Sequence, residues 1–431
     1  MTRVGFAGMT HLGLVSAVAT AAKGFAVVGY DADSALVAAL SAGRLPVFEP
    51  QLDELVRDHG DRLSFTADVA ALASCDVVYV APDIPTDDDG RSDISAIRAL
   101  IDRVAPVLKP DAVMVVLSQV EPGFTRALPA PDSARRYYQV ETLVFGRAVE
   151  RALQPERFIV GCADPAAPLP SAFASVLSAF DCPVLPMRYE SAELAKIAIN
   201  CCLVSSVSVA NTLAELCEGI GADWVEIVPA LKLDKRIGPH AYLKPGLGIA
   251  GGNLERDLAT VERIAAAHGA DAGVVSAWKA NSRHRRDWAL HTIRRVVLDA
   301  HPRATLAVWG LAYKENTRSI KNSPSLATLA QLSEEVTLRL HDPMVEAGVV
   351  TRANAQGFAQ PLDALDGANA LMILTPWPDY ARVSPRDIAA RLAGRVVLDP
   401  YAVLDGNAVA TAGLAYYTLG RGVNAPAQGG A

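Results

Sequence analysis

Metal-binding and disulfide patterns are what this chain lacks. Its six cysteines, Cys75, Cys162, Cys182, Cys201, Cys202 and Cys217, lie in apolar stretches without CxxC spacing. That argues against a zinc site and a disulfide scaffold and points to a reducing cytoplasm. The eight histidines form no HExxH or other close ligand pair, so no metal is expected, and His11 is read as packing or contacting backbone. Basic charge is not in excess: forty Lys and Arg against forty-seven Asp and Glu leave a net charge of −7, which argues against general nucleic-acid binding. No repeat of solenoid length and no heptad array is present. The opening MTRVGFAG passes straight into a strand pattern, without the charged and apolar regions of a secretory signal.

One long hydrophobic run stands out. Ile197 to Ala214 is uncharged over eighteen residues, the length at which a membrane span has to be weighed. Asn200, Ser205, Ser206, Ser208 and Asn211 interrupt the run, and Lys196 and Glu215 close it. The expectation is therefore a buried helix shared between domains, with no membrane partner. At 431 residues, 51% hydrophobic and 20% charged, the chain is long enough for two or three globular domains.

Short β-branched runs alternate with helical patterns in the first third: Val4–Ala7, Ala26–Tyr30, Val77–Ala81, Val113–Leu117 and Phe158–Gly161. This alternation predicts a parallel sheet with crossover helices. From about Glu190 the pattern turns helical, interrupted by a Pro- and Gly-rich loop from Asp234 to Gly252. Strand and helix alternation resumes at Thr305–Trp309, Thr337–Leu340, Leu371–Leu374 and Val396–Leu398. The expected division is 1–188, 189–300 and 301–431, with a tail that frays from Gly420. The fold class is α/β: two Rossmann-like units flank a central long-helix domain.

The first strand runs into Gly8-Met9-Thr10-His11-Leu12-Gly13, an Ala-rich helix follows, and the second strand ends at Asp31. In a dinucleotide-binding βαβ unit the first Gly makes the tight turn, the second admits the diphosphate and the third lets helix pack on strand. Thr10 replaces the middle Gly here, so either the loop shifts or the hydroxyl donates to phosphate. Asp31 stands near the ~20-residue offset of the carboxylate that holds a ribose 2′-OH, and it would repel a 2′-phosphate. The cofactor reading is NAD, held by Gly8, Thr10, His11, Leu12, Gly13 and Asp31.

Further motifs follow in order. Gly43-Arg44-Leu45-Pro46-Val47-Phe48-Glu49-Pro50-Gln51-Leu52 is one, and Pro85, Asp89-Gly90 and Asp93-Ile94-Ser95 make another. The central run contributes Glu193-Leu194-Ala195-Lys196, with Asn200 one helical turn beyond Lys196. Asp234-Lys235-Arg236 precedes Pro245-Gly246-Leu247-Gly248-Ile249-Ala250-Gly251-Gly252-Asn253-Leu254-Glu255-Arg256-Asp257. The last third carries Gly310-Leu311-Ala312-Tyr313-Lys314, Lys321-Asn322-Ser323-Pro324, Asp342-Pro343, Thr375 with Trp377, and Asp399. Taken together, this series resembles the UDP-glucose/GDP-mannose dehydrogenase family over nearly the whole chain.

The resemblance implies NAD-dependent oxidation of a nucleotide sugar, a UDP-hexose, by a homodimer. It places Lys196, Asn200, Asp257, Asn253 and Glu141 at the catalytic centre, and adds Ser118 and Lys321 to the cofactor contacts. It assigns Arg236, Gly248 and Lys314 to the substrate, with Arg236 reaching a partner's site. In ungapped register the family's nucleophilic Cys falls on Asn253, its Lys on Arg256 and its Asp on Asp257. A carboxamide nitrogen has its lone pair delocalised and cannot replace a thiolate. Gln119 stands for a Thr that positions water, and Phe145 for a Glu. The main expectation is therefore oxidation that stops after one two-electron step or is transient. The alternatives are a full four-electron 6-dehydrogenase and a non-catalytic sugar-nucleotide binder. The basic cluster Arg283-His284-Arg285-Arg286 is expected on a solvated helix face, and Cys201 and Cys202 are expected to be inert.

Overall fold

A computed structural model of the chain describes residues 2–87, 90–249 and 252–424, except for the side chains at 252 and 253. Two compact units emerge, Met1–Ile199 and Asn200–Ala431. In the first, β1 (Arg3–Ala7), β2 (Ala26–Tyr30), β3 (Leu63–Thr66), β4 (Val77–Val80), β5 (Val113–Val116), β6 (Arg136–Gln139), β7 (Phe158–Cys162) and β8 (Val184–Arg188) form one sheet. Its order is β3-β2-β1-β4-β5-β6-β7-β8. The central strands are buried on both faces, which is why they read as unbroken apolar runs rather than alternating ones. Strand order reverses between β1 and β4, and the loops leaving the carboxyl ends of those two strands frame the crevice where such sheets take ligands.

Sequence patterning missed three of these strands. Strand β3 is an edge strand, only partly buried. Strand β6 reads Arg-Tyr-Tyr-Gln, yet it is wholly buried. Arg136 is accommodated because its guanidinium donates to the carbonyls of Leu128, Pro131 and Arg126. Strand β8 contains Pro186 and lies at the sheet's other edge, where a missing N–H costs no ladder bond. The sheet also departs from the all-parallel expectation at β6 and β7, which run antiparallel with Tyr138 opposite Gly161.

Helix α1 (His11–Ala22) follows β1, and helix α2 (Tyr189–Ile220) carries the boundary between the units. By length and composition α2 could cross a membrane, and 39% of its apolar window is buried. The expectation of a buried helix holds for one side only: Ala210, Ala214 and Cys217 pack on Trp224, while Val209, Leu213, Leu216 and Ile220 form an exposed stripe.

The second unit continues with α3 (Trp224–Leu233), α4 (Gly252–His268) and α5 (Gly273–Arg286). A parallel sheet follows, built from β9 (Thr305–Trp309), β10 (Thr337–His341), β11 (Ala355–Gly357), β12 (Ala370–Ile373), β13 (Val396–Leu398) and β14 (Ala415–Tyr417), in the order β11-β10-β9-β12-β13-β14. Strands β11 and β14 are three residues each, too short for a periodic signal. Of the tail expected to fray from Gly420, residues 425–431 lie outside the described residues, and the part up to Asn424 is tied down. The Gly420 carbonyl accepts from Trp224 N at 2.9 Å, its N–H donates to Glu218 at 3.0 Å, and Arg421 pairs with Asp223.

The basic cluster is a solvated face only in part: Arg283 and His284 are exposed, but Arg285 is not. Arg285 is fully buried and bridges Glu215 at 3.2 Å and Glu218 at 3.0 Å. His284 meets Glu215 at 2.7 Å and Arg286 lies 3.5 Å from Glu255. A helical run of four basic residues projects around the whole helix circumference, so at least one had to face inward, and acidic residues of α2 receive it.

Candidate active site

Within the first unit, the turn after β1 is built for close backbone approach. Gly8 has φ +93°, and a Cβ there would stand 2.8 Å from Pro82 N. A Cβ on Gly13 would stand 1.8 Å from the Gly8 carbonyl oxygen, so only glycine lets α1 pack against the turn. At the end of β2, Asp31 accepts from Met9 N at 2.8 Å and from Asp33 N at 3.0 Å. The turn, the glycines and the carboxylate fit a dinucleotide-binding unit. Leu12 is buried inside α1. Ser118 is also buried and donates to the Pro82 carbonyl at 2.5 Å, so it holds the loop facing the turn.

The Thr10 hydroxyl faces the chain itself, accepting from Asp83 N at 2.8 Å. His11 packs as expected, its ring on Phe145 with centroids 4.3 Å apart, and its Nε2 in addition lies 2.8 Å from Glu49. Glu49 also accepts from Gly146 N at 3.0 Å and Ala148 N at 3.1 Å. Burial opposes its charge, but these hydrogen bonds and the His11 charge prevail and hold the carboxyl below the usual range. Glu49 was visible in the sequence only as part of a motif. Its role as the buried tie between three segments depends on contacts 38 to 99 residues away along the chain. Phe145 accordingly sits against the first residue of the dinucleotide helix.

Still within the first unit, Lys196 Nζ lies 2.8 Å from Glu141 Oε1 and donates to the Glu141 carbonyl at 3.1 Å. Glu141 Oε2 accepts from Leu143 N at 2.9 Å. Sequence reasoning left Glu193 without a role. It is fully buried and accepts from Gly123 N at 2.6 Å and Thr125 N at 2.9 Å, thereby fixing the segment that follows Ser118 and Gln119. Burial nevertheless pushes its carboxyl up, against those hydrogen bonds.

In the second unit, Asn200 Nδ2 donates to Asp257 Oδ2 at 2.5 Å, and Arg256 Nε lies 3.4 Å from Asp257 Oδ1. All three side chains are buried, Asp257 to 1% exposure. The neighbouring Cys201 packs with Val204, Ile249, Leu258 and Val275. Burial, aided by Asp257 and Cys202, pushes its thiol up to about 11, so it is not an activated nucleophile. The side chain of Asn253 lies outside the described residues, as do Asp89, Ala250 and Gly251. Among the described residues, no group of three His, Cys, Asp or Glu side chains is placed to hold a metal.

Of the substrate candidates, Arg236 is exposed and pairs with Asp234 at 2.6 Å. Gly248 has φ +72°, and a Cβ there would meet the Ser282 carbonyl at 2.3 Å, so chain packing alone requires glycine. Asn211 of α2 steadies the same loop by accepting from Gly246 N at 2.8 Å. Lys314 follows the tight turn at Gly310, φ +100°, at the reversal between β9 and β12, and its ammonium lies 5.5 Å from the Tyr313 ring centroid. Lys321 is exposed on the segment that follows. Asp342 organises that crevice, accepting from Leu311 N at 2.7 Å, Ala312 N at 3.1 Å and Trp377 Nε1 at 3.1 Å. Asp399 accepts from Leu404 N and Tyr416 Oη, each at 2.8 Å. These two acids of the last third serve as scaffolding.

Comparison with known proteins covers most of the chain. Residues 2–177 match the NAD binding domain of the UDP-glucose/GDP-mannose dehydrogenase family, residues 190–283 its central domain and residues 307–406 its UDP binding domain. The chain is 30% identical over 438 aligned residues to UDP-glucose 6-dehydrogenase of Pseudomonas aeruginosa, covering 96% of each protein. It is 27% identical to a UDP-glucose 6-dehydrogenase of Bacillus subtilis, covering 98% of this chain and 94% of that protein. Among solved structures, a UDP-glucose dehydrogenase from Pyrobaculum islandicum superposes with a TM-score of 0.82 at 29% identity, covering 94% of this chain and 95% of that one.

Proposed function

The chain belongs to the UDP-glucose/GDP-mannose dehydrogenase family, and from that premise we propose that it oxidises the primary alcohol of a UDP-hexose with NAD, through the aldehyde to the carboxylate. The relatives favour this complete oxidation over the truncated reaction that the residue at 253 suggests. The observation that carries the reading is the Asn200–Asp257 pair, a buried carboxylate held at 2.5 Å by an amide and flanked by Arg256.

When bound, the nicotinamide supplies a hydride acceptor in each oxidation. Asp257 takes the alcohol proton through a water, and Asn200 and Lys196, four residues apart on α2, orient the hydroxyl and stabilise the developing oxyanion. Water then adds to the aldehyde carbon, and the hydrate loses a second hydride and its protons to give the carboxylate. Glu141 holds Lys196 in place. Asp31 and the Gly8–Gly13 turn hold the dinucleotide with Ser118 and Lys321, while Arg236, Gly248 and Lys314 serve the nucleotide sugar.

One observation favours a second reading, in which oxidation stops after one step or is reversed to reconfigure the sugar. In the ungapped register of the resemblance the family's Cys falls on Asn253, and the Cys201 thiol is pushed up to about 11. Incubation with NAD and UDP-hexoses, scored by absorbance and product mass, separates the readings. Two NADH per sugar and a carboxylate product are expected. One NADH with an aldehyde, or an isomer without net NADH, establishes the second reading.

The stripe of Val209, Leu213, Leu216 and Ile220, with Val225 and Leu233 of α3 also exposed, is an apolar surface of the kind that marks association. A second copy of the chain covers it in this reading, giving a homodimer. Light scattering should return twice the chain mass for the native protein and the single chain mass for Leu216→Glu. A native protein with the single chain mass defeats this assignment.

A further inference from the structure

The first helix has exchanged its capping residue with a distant loop. Thr10 occupies the N-cap position of α1, where a Thr side chain ordinarily accepts from the helix's own first turn. It makes no such bond, and α1 has no acidic residue in its first turn. Its hydroxyl accepts instead from Asp83 N at 2.8 Å, and the Asp83 carboxylate in return accepts from His11 N at 3.0 Å. Two hydrogen bonds thus join segments 72 and 73 residues apart. The loop that carries Asp83 is held from other sides as well. Ala81 N donates to the Ala7 carbonyl at 2.8 Å, Ser118 Oγ donates to the Pro82 carbonyl at 2.5 Å, and Gly8 leaves room only for itself against Pro82.

This placement conflicts with the ligand. The N-terminus of the helix after β1 is where this fold receives a dinucleotide diphosphate, because its backbone N–H groups and the helix dipole favour an anion. The His11 N–H belongs to that end, and a carboxylate of the chain already occupies it. A second carboxylate, Asp31, accepts from Met9 N two residues earlier, but that group sits at the ribose end and suits the cofactor. Asp83 does not suit it, since its charge and a diphosphate compete for the same donor.

We propose that Asp83 is an internal competitor for the diphosphate of NAD, so that cofactor binding requires its carboxylate to leave the N-terminus of α1. The departure of the middle fingerprint Gly belongs to the same device, because the Thr10 hydroxyl fixes the Asp83 backbone and thereby aims the carboxylate. The proposal rests on the first unit being the NAD-binding domain and is independent of which sugar is oxidised.

Calorimetric titration of the native protein, Asp83→Asn and Asp83→Ala with NAD and ADP, together with ligand-observed NMR using adenosine, tests it. Removing the carboxylate should tighten NAD and ADP by about tenfold, the scale of one charge at a partly buried helix end. Asp83→Asn should lie between the native protein and Asp83→Ala, because its amide oxygen can still accept from His11 N without the charge. Adenosine, which lacks phosphate, should bind all three alike. ADP binding that is unchanged or weakened in Asp83→Ala overturns the proposal while leaving NAD dependence intact, and equal tightening of adenosine overturns it as well. Failure of NAD and ADP to bind any of the three overturns both the proposal and the cofactor reading. Tightening of ADP in a protein that oxidises no nucleotide sugar sustains the proposal and defeats the proposed function instead.

Discussion

Replacing Asp257 with alanine is expected to lower kcat by about 10²–10⁴-fold, the contribution of a positioned acid–base group. The carboxylate is 1% exposed and meets Asn200 and Arg256. Its loss removes a proton acceptor and also takes a carboxylate away from the buried Arg256 guanidinium. Removing one partner of a buried ion pair costs about 3–5 kcal/mol, so Asp257→Ala by itself cannot separate chemistry from folding. Asp257→Asn separates them, since it keeps the volume and one oxygen that Asn200 Nδ2 can reach while removing the basicity. The expected result is a melting temperature closer to the native protein than that of Asp257→Ala, unchanged NAD binding and a kcat still down by at least about 10²-fold. An Asp257→Asn variant with native kcat would remove Asp257 from proton transfer and leave it a structural anchor for Asn200.

Substituting Gly13 with alanine should be nearly as damaging, by a different route. The added Cβ would stand 1.8 Å from the Gly8 carbonyl oxygen and 3.2 Å from that of Ala81. Both are backbone atoms that cannot rotate away. Helix α1 must then move off the sheet, at about 3 kcal/mol for overpacking in a rigid setting. For a unit of this size that corresponds to a fall in melting temperature of about 10 °C. NAD binding should be lost with it, because the same displacement opens the turn that cradles the dinucleotide. Differential scanning calorimetry and NAD titration read the two effects separately, and native-like values in both would show that the helix accommodates the methyl group.

Both predictions began as sequence motifs, yet the sequence explained them unequally. Gly13 was legible because the fingerprint is local: six consecutive residues, a strand before and a helix after. Asp31 was legible for the same reason. Lys196 and Asn200 were readable as a pair because helix periodicity places residues four apart on one face. Their actual partners, Glu141 and Asp257, are 55 and 57 residues away, and no periodicity specifies such a distance. Glu193 and Glu49 escaped assignment for that reason: each is defined by backbone N–H groups of remote segments. Phe145 was read only as standing for a Glu, and the contact of its ring with His11 came from the fold.

The sequence by itself determined the α/β class, the placement of the two sheets and the long helix, and the family, because these follow from short-range apolar patterning and from motifs whose order along the chain is itself the signal. Only the tertiary structure decided which charges are buried and what they meet. Arg285 lies inside against Glu215 and Glu218, Arg136 is held by three carbonyls, and Asp83 caps a helix that begins 72 residues earlier. The physical reason is the cost of burial. A charged or polar group inside a protein must find partners, and those partners are brought together by the fold, wherever in the chain they happen to lie.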